Sequence, residues 1–191
     1  MTRTFYFGLF VFVAVACSSS QSDRPSDDKP DRGKSEPTVV KLGDLRSTTP
    51  GNWKKETPEG SFRAYQFRLP RAEGDDADAQ LVIFRNIGGS AKQNVERWKE
   101  QFTPPKSKTI EDVAKVTELK VGGLPASYLD IEGTFLDGRP GSPVKTPRPG
   151  YRMLAVHIEG PESPHHIKLT GPAATVEKHK KEFDDWLKSF K

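Results

Sequence analysis

Residues 18–37, SSSQSDRPSDDKPDRGKSEP, contain no aliphatic or aromatic side chain. Such a stretch buries too little apolar surface to offset the entropy lost on ordering, so it is expected to be a disordered tether. It separates a short leader (residues 1–16) from a folding unit (residues 38–191), with the tether and the cysteine before it making up residues 17–37. Cys17 is the only cysteine, so no internal disulfide can form and the folding unit must hold through its core alone. About 150 residues suffice for one domain with a substantial core.

The leader has a basic residue, Arg3, ahead of twelve uncharged residues from Phe5 to Ala16. That length suits the core of a signal peptide and falls short of the roughly 20 residues a spanning helix needs. Ala14 and Ala16 suit a signal peptidase, and Ala16-Cys17-Ser18 resembles the lipobox of bacterial lipoproteins, although leucine is commonest where Ala14 stands. The resemblance implies that the Cys17 thiol is alkylated by diacylglycerol, that the chain is cut after Ala16, and that the new amino terminus is acylated. Membrane lipid is then the first partner and the location is extracytoplasmic. In a host with two membranes, the same resemblance implies, from Ser18 in place of an aspartate after the cysteine, the periplasmic face of the outer membrane. The alternative is an ordinary signal peptide with an incidental cysteine, but a lone thiol in a secreted chain then lacks an explanation.

Charge narrows the remaining partners. Without Arg3, 29 basic residues face 26 acidic ones, a net charge of +3. The excess is scattered and no basic stripe is interleaved with aromatics, which argues against nucleic acid.

Within the folding unit, Tyr65, Phe67 and Leu69 alternate on one face of a strand that stops at Pro70, and Gln80–Ile87 reads as a central strand. Between them, Ala72–Asp78 is an acidic turn without EF-hand spacing. Gly88-Gly89-Ser90 opens a helix whose Ser90 and Gln93 fit a capping box, with Ala91, Val95, Trp98 and Phe102 on one stripe before Pro104-Pro105. Strands follow at Lys115–Val121 and Leu124–Phe135, joined at Gly122-Gly123. Leu136–Gly150, with four prolines, is expected to be a long loop. Tyr151–Glu159 and His165–Thr170 read as a hairpin in which Ile158 faces Ile167 and Val156 faces Leu169. Val176, Phe183, Trp186 or Leu187, and Phe190 form the apolar stripe of a last helix, with Glu177–Lys181 and Asp184–Lys188 as its ion pairs. The fold class expected is α+β, an antiparallel sheet flanked by helices, with Trp98 and Phe183 on opposite sides or ends of the sheet.

This order of elements, the turn Val121-Gly122-Gly123-Leu124-Pro125-Ala126, and a last helix ending Ser189-Phe190 resemble the PsbP-like fold over roughly residues 45–191. The resemblance implies an α/β/α sandwich whose known members mostly bind other proteins or act in assembly, and it carries over no catalytic residue. The chain is also similar to uncharacterised bacterial lipoproteins that share the Gly-Gly-Ser helix start and the run Lys168–Pro172.

Chemistry-bearing residues are few. No serine stands in a G-x-S-x-G elbow, and an acylated Cys17 is no nucleophile. In the expected register His157 faces Lys168 and Glu159 faces His166, placing the two histidines diagonally about 7 Å apart. His157, Glu159 and His166 are a set zinc accepts, but Lys168 among them opposes a cation, so neither metal nor cofactor is expected. Arg139, Lys145 and Arg148 make the Leu136–Gly150 segment basic and suited to an acidic protein partner or anionic surface. Two functional readings follow. The favoured one is a tethered, non-catalytic binding or assembly module for an extracytoplasmic protein. The other is a hydrolase or metal-dependent enzyme using the hairpin histidines.

Overall fold

Alternating apolar side chains build one large antiparallel sheet. The computed structural model describes residues 1–2, 35–138 and 142–191; the leader, Cys17, most of the tether and Arg139 lie outside the described residues. The chain divides between Asp31 and Arg32, and every element below belongs to the second part. Val39–Leu42 (β1) and Leu45–Thr48 (β2) form a separate hairpin. The sheet comprises Lys54–Glu56 (β3), Arg63–Leu69 (β4), Ala79–Phe84 (β5), Phe102–Thr103 (β6), Ala114–Val121 (β7), Leu124–Asp137 (β8), Thr146–Ile158 (β9) and His165–Pro172 (β10). Its order is β3-β4-β5-β10-β9-β8, and the far edge of β8 is shared by β7 and β6. The helices are Ala91–Lys99 (α1), Ile110–Val113 (α2) and Ala173–Lys188 (α3).

Successive side chains of a strand point to opposite faces, so the central strands feed two cores. Tyr128, Leu154, Val156, Ile167 and Leu169 pack under α3 through Val176, Phe183, Trp186 and Leu187. Leu129, Ile131, Met153 and Ala155 pack under α1 through Val95 and Trp98. Trp98 and Phe183 therefore lie on opposite sides of the sheet, as expected. Both Trp186 and Leu187 are buried, so the stripe of α3 is wider than its spacing required.

Local chemistry explains the helix ends. Ser90 Oγ accepts from the Gln93 amide at 3.3 Å while Gln93 Oε1 accepts from the Ser90 amide at 2.9 Å, the reciprocal cap expected of α1. α3 begins after Pro172, which has no side-chain oxygen to cap it. Asp75 supplies the missing acceptor from the acidic turn, taking bonds from the Thr175 amide at 2.8 Å and its hydroxyl at 2.5 Å. A carboxylate at a helix amino end also complements the helix dipole, so this acid has a structural task. At the other end, Arg46 and Lys191 exchange two backbone hydrogen bonds, tying the carboxyl terminus to β2.

Several expectations need correction. The α1 helix ends at Lys99; Phe102 reaches the same core from β6, because a residue four beyond Trp98 can meet that core by a strand as well as by another turn. The expected long loop is mostly strand. β8 runs to Asp137 and β9 starts at Thr146, and Pro147 and Pro149 fit because β10 pairs with β9 only as far as Tyr151. A strand end with one neighbour tolerates a missing N–H. In α3 the ion pairs are Lys180–Asp184 and Lys181–Asp185, while Glu177 turns to Arg152 of β9. Finally, the β9–β10 register is two residues from the expected one: His157 faces His166, and Ile167 faces Val156. A slip by two keeps every side chain on its face, so alternation could not separate the two registers.

Candidate functional site

That register creates a polar row across the face covered by α1. Glu118 of β7, Ser127 of β8, His157 of β9 and His166 of β10 stand side by side on four neighbouring strands. The Ser127 hydroxyl donates to Glu118 Oε1 at 2.8 Å. His157 Nδ1 meets His166 Nε2 at 2.9 Å, and His157 Nε2 meets Glu159 Oε1 at 3.1 Å. His157 is fully buried and His166 is 2% exposed.

With both rings neutral these contacts assign the protons: His157 donates from Nε2 to Glu159 and presents Nδ1 as an acceptor. His166 then donates from Nε2, leaving its Nδ1 as a bare lone pair. That atom is buried and has no partner among the described residues. Trp98 closes the site by setting its ring edge-on to His166 at 6.0 Å. Burial, reinforced by repulsion from His157, Arg97 and His165, pushes His166 down to about 4. Next along β10, the half-buried Lys168 ammonium donates to Gln101 Oε1 at 2.6 Å and lies 6.0 Å from the centre of the Phe135 ring. Desolvation, with Arg63 nearby, pushes it down to about 8.

The structure thus brings His157, Glu159 and His166 together more closely than the sequence register allowed, but each nitrogen that bonds faces another member of the set. Among the described residues no three ligand-type side chains are grouped to hold a metal ion. Ser127 donates to Glu118 and not to either histidine. The arrangement is a short hydrogen-bonded chain with two buried rings beneath α1 and an exposed carboxylate, Glu159, at its end.

It has a consequence for stability. An unfolded histidine titrates near 6.5, so between about pH 6.5 and 4 the unfolded chain binds the proton that folded His166 refuses. Stability contributed by neutral His166 is present above that window and is lost as pH falls through it, by on the order of 3 kcal/mol. His166→Leu is expected to flatten this part of the stability–pH curve measured by urea unfolding. An unchanged slope would show that His166 does not titrate abnormally.

The basic residues sit elsewhere. Lys145 and Arg148 are exposed at the end of the β8–β9 hairpin, and Arg148 Nε lies 3.6 Å from Asp137 Oδ2, a surface pair of small energetic weight. A second polar network, without a local sequence signature, lies on the opposite face. There Arg152 donates twice to Asp130, at 2.7 Å each, and once to Glu177, while the Tyr128 hydroxyl donates to Asp184 at 3.0 Å. Its members are separated by 22 to 56 positions along the chain, so no local motif could reveal them.

No protein-family model and no curated protein match the chain. Among solved structures it is similar to a protein of unknown function from Pseudomonas aeruginosa, with 19% identity, a TM-score of 0.47, and 81% of this chain and 95% of that one covered. It is also similar to cyanobacterial PsbP from Synechocystis sp. PCC 6803, with 14% identity, a TM-score of 0.49, and 83% of this chain and 94% of that one covered.

Proposed function

We propose that this chain is a lipid-anchored, extracytoplasmic binding or assembly module without catalytic activity. The observation that carries the proposal is Cys17, standing directly behind an uncharged leader and directly ahead of twenty residues with no apolar side chain. A thiol in that place, with no possible disulfide partner, suits acylation, and the segment after it suits a tether. The location proposed is the periplasmic face of the outer membrane, from Ser18. The inward-facing bonds of His157, Glu159 and His166 support a non-catalytic role, because the two rings are buried and occupied with one another.

In this reading the tether presents the domain to a protein partner, and the basic residues Arg139, Lys145 and Arg148, in the sequence joining and opening β8 and β9, are one candidate contact. Replacing those three residues with serine is expected to leave the melting temperature within a degree or so, since surface changes of this kind cost little. It is also expected to lower the yield of partner captured by in-cell cross-linking. Capture of the same proteins in the same yield would remove these residues from the binding surface.

A further inference from the structure

The opposite edge of the domain offers a better-formed surface. β7 has β8 as its only strand neighbour among the described residues. Lys115, Val116, Thr117 and Glu118 are all exposed, Val116 to 44%. An eight-residue strand with one side unpaired is a template for another strand. Between β7 and the second half of α3 runs a groove of about 310 Å³, lined among others by Lys115, Leu119, Lys120, Tyr128, Lys180 and Leu187. Its floor is apolar: Tyr128 and Leu187 are buried and Leu119 is half-buried.

Charge at the groove is mainly positive once existing pairs are removed, while on the other face of β7 the exposed Glu118 accepts from the Ser127 hydroxyl. Asp130 is held by Arg152, and Asp184 by Tyr128 and Lys180, the latter at 2.7 Å. Lys115 and Lys120 have no carboxylate partner within 4.0 Å among the described residues. They stand roughly 16 Å apart along the strand, the span of a five- or six-residue extended segment. Lys188 adds a third cation at the groove, only 4.0 Å from exposed Asp185. A second copy of β7 brought against this edge would set lysines near lysines, an arrangement that disfavours self-pairing.

We propose that β7 is a docking edge that accepts an extended acidic peptide segment of a partner protein as an added strand. Backbone hydrogen bonds to β7 supply sequence-independent affinity. Side chains on one face of the peptide enter the Leu119–Tyr128–Leu187 groove, with a carboxylate at one end meeting Lys115 on that face and a carboxylate on the other face meeting Lys120, because residues five apart on a strand point to opposite faces. The proposal deepens the reading as a binding module and rests on it. The test below needs neither acylation nor the native partner, so its failure leaves that reading to be judged by the cross-linking experiment.

Fluorescein-labelled Glu-Thr-Val-Thr-Val-Glu, whose two carboxylates fall on opposite faces of a strand, and its counterpart with lysine at both ends serve as probes, titrated with the full chain and read by fluorescence anisotropy at low and high salt. The glutamate peptide is expected to bind about tenfold more tightly than the lysine peptide at low salt and to lose that advantage at high salt. Lys115→Glu with Lys120→Glu is expected to invert the preference; both positions are exposed, and the melting temperature checks folding. The milder Lys115→Ser with Lys120→Ser is expected to abolish the preference without inverting it. Amide exchange in residues 114–121 is expected to slow when the glutamate peptide binds. Equal affinity of the glutamate peptide for wild type and both variants overturns the proposal, as does slowed exchange confined to other elements. β7 amides that are not bonded to β8 yet are protected before any peptide is added also overturn it, by a second copy if sedimentation shows a dimer and by the chain's own tether if it shows a monomer.

Discussion

Phe183→Ala is expected to lower the stability of the domain by about 3–5 kcal/mol, the cost of removing a fully buried aromatic side chain and leaving a cavity. The ring lies at the centre of the larger core, 6.3 Å from the Tyr128 ring and 6.1 Å from Trp186, and α3 reaches the sheet through it. Because a domain of this size has only about 5–15 kcal/mol in hand, the loss is a large fraction of the whole. Trp98→Ala acts on the other face and should cost a similar amount. The sheet separates the two sites, so their effects should be close to additive in the double variant. Trp98→Ala has a second expected effect: with the indole gone, water reaches His166, and the acid-side loss of stability described above should shrink. A urea midpoint unmoved by Phe183→Ala would show that α3 does not pack as described.

What could be read from the sequence was set by what is local. The Ser90–Gln93 cap, the turn at Gly122-Gly123 and the alternation in β4, β8 and β10 are each fixed by residues within a few positions of one another. The turn carries positive φ of 56° and 86°, conformations that glycine adopts without penalty. The two-faced burial of the sheet was also legible, because Leu129 and Ile131 alternate with Tyr128. The β9–β10 register was not, since a two-residue slip preserves the alternation and the five residues between Gly160 and Pro164 impose no particular turn. That slip decides the candidate site: it turns His157 and His166 from diagonal neighbours into a bonded pair. Trp53 stands in no local pattern, yet it is fully buried with its indole N–H on Glu182 at 2.8 Å, a contact made across 129 positions. The Arg152–Asp130–Glu177 network was hidden for the same reason.

The largest functional effect is expected at Cys17. Acyl chains contribute about 0.8 kcal/mol per buried methylene, and stable anchoring takes more than one chain. A diacylglycerol thioether together with an acylated amino terminus would hold the protein in the membrane almost without release. On the proposed reading, removing the thiol removes the attachment point of the diacylglycerol, and with it the anchor. Cys17→Ser should therefore move the chain from the membrane fraction to the soluble extracytoplasmic fraction while leaving the fold of residues 38–191 and its melting temperature unchanged. A variant that remains in the membrane fraction would place the anchor elsewhere in the chain.

Metabolic labelling of cells with a palmitate analogue, comparing wild type with Cys17→Ser, tests the account most directly. The account predicts label on the wild-type chain and none on Cys17→Ser. Equal labelling of the two proteins, or none on either while other lipoproteins in the same cells are labelled, would contradict it.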